Sequence, residues 1–397
     1  MRVLISGAGI AGPALAYWLL CYGHEPALVE RAPTLRTGGY VVDFWGAGFD
    51  IAERMGLLPE LRRKGYFVTE LRVVNRAGRR ISGFSADVFA RMTGGRYLSI
   101  PRGELATSIF GLIDGKVETI FGDSISGIEQ TEADVRVAFE HGKPRQFDLV
   151  IGADGLHSTV RELAFGPQRR FEKYMGYKVA AFEAEGYSPR DELVYVMFTE
   201  VGQQVGRFSM RDDRTMFLFI FADDQPQRMD LGDVPGQKAL LRRRFGNSGW
   251  ECPRILDALD TSDELYFDRV SQIRMNPNEG LWTRGRVALV GDAAFCVSLL
   301  GGQGCALAMI AAYILAGELH RSGGDHSRAF ARYQELFGPF VAGKQEAAEG
   351  FAGFFAPRSR PRLFLRNQMI KTIRISWMAN LVFGRGLLDK IELPEYL

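Results

Sequence analysis

Cysteine is scarce in this sequence. The 397 residues hold four, Cys21, Cys252, Cys296 and Cys305. None forms a CxxC pair or stands at metal-ligand spacing, which sets aside a disulfide framework and a bound metal and fits a reducing, cytoplasmic setting. A surplus of either charge is also missing. Lys and Arg number 49 against 47 Asp and Glu, a net charge of +2, so the balance draws the chain neither to nucleic acid nor to an anionic membrane. No apolar run is long enough for stable membrane insertion. No internal repeat, Ser-His-Asp set, paired acids or metal-binding cluster emerges, so no catalytic side chain can be named. That lack fits an enzyme whose cofactor carries the difficult chemistry. What remains is an ordinary soluble composition, 46% hydrophobic and 24% charged, in a chain too long for one ordinary core.

The N-terminus, Arg2-Val3-Leu4-Ile5-Ser6, has a faint signal-peptide look, but a buried first strand accounts better for the glycines that follow. Gly7-Ala8-Gly9-Ile10-Ala11-Gly12 is a GxGxxG directly after that strand. A helical run, Pro13 to Tyr22, ends at Gly23, and a second strand from Glu25 to Val29 closes on Glu30, 30 − 12 = 18 residues past the last glycine. Gly7 allows the tight turn, Gly9 lets a pyrophosphate approach the backbone, and Gly12 lets helix and strand pack closely. The helix start at Ile10 and Ala11 offers free N–H groups to phosphate. Glu30, followed by Arg31, can accept from both ribose hydroxyls, which argues against a 2′-phosphate and leaves NAD or FAD.

Two further segments bear on that choice. Residues 147–161 run from a buried strand through Gly152-Ala153-Asp154-Gly155 to Ser158 and Arg161, which open a helix. Residues 286–306 run from the strand Val287-Ala288-Leu289-Val290 through Gly291-Asp292-Ala293-Ala294 to Gly301-Gly302-Gln303-Gly304. With these motifs in this order, the sequence resembles the class A flavoprotein monooxygenases, the family of para-hydroxybenzoate hydroxylase and the tetracycline-inactivating monooxygenases, over nearly its whole length. The stretch Gly38-Gly39-Tyr40-Val41-Val42-Asp43-Phe44-Trp45 looks like the corresponding loop of the tetracycline-type branch.

The resemblance implies non-covalent FAD. Asp292 would bond the ribityl chain, with Gly291 leaving room. Asp154 and Gly155 would lie near the pyrophosphate and the approach of NAD(P)H, a transient co-substrate. Arg102 would meet the FAD phosphate or ribityl region. Gly302, Gln303 and Gly304, after Gly301, would set N–H groups at the flavin N1/C2 edge. Against the family pattern, this chain has Phe295 where a histidine is common, Val297 to Leu300 where prolines are, and Ala306 and Ala311 where an asparagine and an acid are, so loop-based catalytic roles do not transfer. His157 reads as a solvated helix-start residue, and Cys296 and Cys305 as inert buried thiols.

From about Glu172 the pattern alternates. Strands are expected at Tyr174–Glu185, Leu193–Thr199, Gly206–Met210, Met216–Phe221 and Glu264–Met275. The expected fold is α/β: a Rossmann-type FAD-binding domain (1–170 and 276–350), an inserted antiparallel β-sheet substrate domain (171–275), and a C-terminal helical segment (351–397) packing across both. Its basic residues, Arg358, Arg360, Arg362, Arg366, Lys371 and Arg374, read as a solvated helix face. Phe217, Phe219 and Phe221 share one face and are candidate pocket walls, with core packing as the rival role. Trp45, Phe44, Met210, Phe295 and Arg207 are further candidates.

The resemblance implies a monomeric or dimeric enzyme that uses NAD(P)H and O2 to hydroxylate a small aromatic or polyketide-like molecule through a flavin C4a-hydroperoxide. A flavin-dependent reductase, a halogenase and a non-catalytic flavoprotein that sequesters a small molecule are the alternatives. The five tryptophans form no Trp-x-Trp pair of the halogenase kind.

Overall fold

The computed structural model describes residues 1–36, 38–225, 232–276, 281–372 and 391–396. Arg2–Ser6 sits at the middle of a six-stranded sheet, between Glu25–Glu30 and Leu149–Gly152. Glu118–Phe121 lies outside the first neighbour and Val287–Leu289 outside the second, all parallel, with the short Thr283–Arg284 antiparallel at the edge. Val3, Leu4, Ile5, Leu149, Val150 and Ile151 are fully buried. Both faces of these strands are covered, which is why they read as apolar runs and do not alternate. The helix Ala11–Cys21 packs on the long buried helix Gly304–Arg321. A three-stranded meander, Ile125–Gln130, Val135–Phe139 and Arg145–Phe147, fills the connection leading to Leu149–Gly152.

The second sheet has seven strands, in the order Tyr266–Ile273, Glu172–Glu185, Arg214–Ala222, Gln203–Ser209, Val194–Glu200, Glu70–Val74, Arg80–Ser85. The last two come from a part of the chain that the sequence pattern left with the flavin domain, and Glu70–Val74 runs parallel to Val194–Glu200. Their signal is weak because one face of that hairpin is charged: Glu70 pairs with both Arg72 and Arg80 at 2.9 Å. One face of the sheet, its back, packs Phe182, Phe217, Phe219 and Phe221 against helices Val234–Phe245 and Cys252–Thr261. The other, its front, presents Tyr195, Phe208, Met216 and Leu218 toward the first sheet's side of the molecule.

Between the two sheets lies an antiparallel ribbon, Val41–Trp45 with Tyr97–Pro101. Val42 and Phe44 bury into the dinucleotide core, so alternation turns Asp43 and Trp45 the other way. The C-terminal part differs from the single helix expected over 351–397. The helix His326–Phe355 ends inside that range, and Arg360–Thr372 then lies along Arg80–Ser85. Arg366 on it is buried, not solvated, with its guanidinium donating to Gln204 Oε1 at 3.0 Å. Arg374 lies outside the described residues. Residues 391–396 are non-helical and dock on the dinucleotide side, where Tyr396 donates to Glu318 at 2.7 Å.

Candidate active site

The glycine turn is held by close approach. A methyl on Gly12 would stand 1.9 Å from the carbonyl oxygen of Gly7, and one on Gly7 (φ +105°) 2.6 Å from that of Ala153. Ile10 and Ala11, at the start of the helix Ala11–Cys21, are buried. The helix Ala11–Cys21 has no side-chain cap and no acid in its first turn, so its positive end is left uncompensated by the protein. Glu30 braces the turn: its carboxylate accepts from Ala8 N and from Ala32 N, each at 2.9 Å. That leaves lone pairs for further donors. Arg31 beside it is exposed.

Arg102 follows the ribbon directly and reaches the same turn. A methyl on Gly9 would lie 3.5 Å from its Nη2. The side chain is enclosed by protein, yet among the described residues its guanidinium has no hydrogen-bond acceptor. Burial opposes its charge, and Cys305, Tyr40 and Asp292 around it pull it back above the usual range. Asp292 opens the short helix Asp292–Phe295 after the glycine at 291. Solvent reaches its carboxylate although protein surrounds it, and that burial pushes its pKa up against the pull of Arg102. A methyl on Gly304 would sit 3.6 Å from Asp292 Oδ1, and one on Gly302 (φ +66°) 3.8 Å from the Trp45 ring. Gly9, Arg102, Asp292, Gly302, Gly304 and Trp45 therefore gather round one hollow. The buried indole N–H of Trp45 has no acceptor among the described residues.

The loop entering Gly302 is stapled from behind. Gln272 donates to Val297 O at 3.1 Å and to Gln345 O at 2.8 Å, and Gln345 donates to Ile273 O at 2.7 Å. Gln303 is nearly buried. Cys305 is pushed up to about 11 and Cys296 well above its ordinary range, both by burial first, so both thiols stay protonated.

Several expectations need correction. The Asp154 carboxylate accepts from Ser158 Oγ and from Val160 N at 3.1 Å. It caps the helix Thr159–Phe165, so only its backbone, against Gly7, borders the hollow. His157 is half-buried, 3.0 Å from Asp268, and ties the first sheet's side to the second sheet. Phe217 and Phe219 lie on the back of the sheet, 5.0 Å from Phe182 and 4.9 Å from Phe245 by ring centroids. The period of two grouped them correctly and could not say which face turned toward the first sheet. Arg207 shares that back face, with its guanidinium buried between Asp191 and Glu251. Phe295 packs into the core against Trp282 at 4.9 Å. Trp45, by contrast, stands beside Gly302 at the hollow.

Arg161, expected only to open a helix with Ser158, is fully buried and donates to Ala293 O at 2.9 Å and Leu156 O at 2.7 Å, joining the two turns. The sequence reading missed the polar lining on the front side. Tyr40 and Tyr266 have ring centroids 5.5 Å apart. Asp43 Oδ1 accepts from Ser99 Oγ at 2.6 Å and from Tyr97 OH at 2.9 Å. These positions carry no motif of their own; the ribbon pairing brings Asp43 to Tyr97 and Ser99, and the second sheet brings Tyr266 to Tyr40.

Residues 1–322 match the family described as FAD binding domain. A flavin-dependent monooxygenase from an unknown prokaryotic organism is 34% identical over 399 residues, covering 100% of this chain and 99% of its own length. The chain belongs to the FAD-dependent monooxygenases. This monooxygenase is also similar to the crystal structure of tetracycline destructase Tet(51), with TM-score 0.83 and 34% identity over 100% of this chain and 99% of that one. Klebsiella pneumoniae HpxO, complexed with FAD and uric acid, shares the fold at TM-score 0.81 and 22% identity, over 98% and 97% of the two chains. FAD is the monooxygenase's cofactor, and the site suits it: an uncapped helix start, glycines that clear the backbone, and an enclosed guanidinium lacking an acceptor among the described residues. No helix among the described residues is long and apolar enough to cross a membrane.

Proposed function

We propose that this monooxygenase hydroxylates a phenolic, polyketide-like molecule, with NAD(P)H and O2 as co-substrates. Bound FAD supplies the redox chemistry that activates oxygen. Glu30 holds the adenosine ribose, and the start of helix Ala11–Cys21 receives the pyrophosphate. Arg102 and Asp292 take the stretch between pyrophosphate and ring system. The backbone from Gly302 to Gly304 meets the polar edge of the isoalloxazine, with Trp45 beside it. The front face of the second sheet, with Tyr195, Phe208, Met216 and Leu218, covers the substrate and keeps water from the reacting atoms. The observation that carries this reading is the enclosed Arg102, without a hydrogen-bond acceptor among the described residues, in a hollow shared with Asp292 and Gly302. The full-length likeness to a tetracycline destructase supports a polycyclic substrate, and four free thiols support a cytoplasmic setting.

The test is a screen of the purified yellow protein for NAD(P)H oxidation with tetracyclines, hydroxyanthraquinones and simple phenols, run under labelled oxygen. The expected result is faster NAD(P)H loss with a polycyclic phenol and one labelled oxygen atom in the product. Reduction without label would replace the proposal with a reductase.

A further inference from the structure

Asp43 stands out among the charged groups of this molecule because its two oxygens are treated differently. Oδ1 receives both Ser99 Oγ and Tyr97 OH, and those hydroxyls lie 3.0 Å from each other. Oδ2 has no donor among the described residues. Its side chain is exposed to solvent although protein lies around it on many sides. Its position follows from the ribbon: Asp43 and Trp45 are two residues apart on one face, about 7 Å along the strand, and Trp45 abuts Gly302. Val41, on the same face, has its N–H 3.1 Å from the sulfur of Met216, on the front of the second sheet. A carboxylate thus looks into the space between the flavin loop and the sheet that covers it.

Resting on the hydroxylase reading above, we propose that Asp43 is the proton acceptor for a phenolic or enolic hydroxyl of the substrate, with Oδ2 receiving the proton and Ser99 and Tyr97 holding Oδ1. As the ring carbon bonds the incoming oxygen, the substrate O–H bond breaks, its proton passes to Oδ2, and its electron pair flows into the ring. When the carbon sheds its hydrogen as a proton to solvent, the C–H electron pair restores the ring, the substrate oxygen takes back the proton from Asp43, and the carboxylate is restored. Over the turnover one oxygen atom of O2 enters the product, the other leaves as water, and NAD(P)H gives the two electrons. General base assistance of this kind is worth roughly 100- to 10,000-fold.

The electrostatics suit the task. Burial pushes the Asp43 pKa up, while the hydrogen bonds from Ser99 and Tyr97 pull it back. A carboxylate poised above its ordinary range is a better proton acceptor than a solvated one. The titratable groups facing it are Tyr97 on the paired strand and Tyr195 on the sheet; burial raises both, so both stay neutral. Arg102 stands beyond Val41 on the ribbon, and Arg366 acts on Tyr195 from its far side. Among the described residues, none of these cations forms an ion pair with Asp43.

The decisive variant is Asp43→Asn in the FAD-loaded enzyme. Its carbonyl keeps the two hydroxyl donors, so its amide faces the hollow as a donor where wild type has an acceptor. The probe is a hydroxyanthraquinone, whose phenolate absorbs at longer wavelength than its phenol. Wild type is expected to bind the phenol and to lose affinity as pH rises through the probe's ionisation. The variant is expected to favour the phenolate, a change in the bound ratio of roughly tenfold or more, visible without turnover. Its kcat with a true substrate is expected to fall at least about 100-fold, with FAD content retained and the acid limb of the pH profile gone. In Ser99→Ala, which removes a bond favouring the charged form, the acid limb should move to higher pH. If wild type and Asp43→Asn bind the probe in the same form with the same pH dependence, the proposal fails and the monooxygenase reading stands. Tighter binding of an ammonium analogue than of the phenol, abolished in the variant, overturns it in favour of a cation seat. Failure of wild type to bind any phenol overturns it together with the substrate class.

Discussion

Replacing Arg102 with methionine should weaken the loaded enzyme while leaving the cofactor-free chain as stable as before, or more so. The guanidinium is enclosed, and among the described residues it donates to nothing. Without ligand its burial is a cost met by the attraction of neighbours such as Asp292 and by no hydrogen bond, so Arg102→Met, which keeps much of the volume, removes cost and attraction together. With FAD bound, one charge-assisted hydrogen bond is lost, worth about 1.5–3 kcal/mol. At 1.4 kcal/mol per decade this is roughly a 10- to 100-fold weaker Kd. Because a ligand stabilises by RT ln(1 + [L]/Kd), the gain in stability at a fixed excess of FAD should shrink by about the same 1.5–3 kcal/mol. Titration of the cofactor-free protein, followed by the quenching of FAD fluorescence, gives Kd. Melting curves with and without FAD give the two stabilities separately. A variant that melts lower without FAD and binds it within about twofold of wild type would show Arg102 to be a structural group, and the reasoning would be wrong.

Phe217→Ala should cost about 3–5 kcal/mol in chemical denaturation, because the ring is fully buried on the back of the second sheet. Its KM for substrate should stay near that of wild type, and a large KM change at preserved stability would return it to the pocket wall. Gly12→Ala would drive a methyl to 1.9 Å from the Gly7 carbonyl, so the purified protein should be colourless; a yellow variant would contradict the close approach. Asp43→Asn should gain stability relative to wild type as pH rises. A raised carboxylate binds its proton more tightly folded than unfolded, so the cost of ionising it is absent below the ordinary value near 3.8 and fully present above the raised one. Denaturation of both proteins at roughly pH 4 and about pH 8 measures this, and a difference that shrinks toward high pH would reverse the sign argued here.

The dinucleotide half was legible because its constraints are local. Gly7 and Gly12 answer to close backbone contacts, and Glu30 follows at the end of the next strand, so a short window carries the whole unit. Arg102, Asp292 and Gly302 were reached through resemblance, and the fold brings them to one hollow. Reading failed where the answer depended on which side of the second sheet turned toward the first. Phe217 and Phe219 stood out by size, yet the front carries Met216, Leu218 and Ile220 instead, and alternation is silent on that choice. Arg207 was seen without its partners, because Asp191 and Glu251 are distant in sequence. Asp43 sat inside a recognised loop, but its partner Ser99 is 56 residues away, so nothing nearby marked it as special. Asp154 illustrates the opposite limit: a residue in a diagnostic motif whose side chain serves the helix behind it.

The two crossed glutamines behind the flavin loop have an engineering consequence. Gln272 belongs to the second sheet and Gln345 to the helix His326–Phe355, and between them they grip the backbone at Val297, Ile273 and each other. Three parts of the chain far apart in sequence are bolted into a single bracket. Grafting a relative's loop over residues 296–301 without its matching amides would leave orphaned carbonyls in a dry place, so exchange of this segment should succeed only as a three-part transplant.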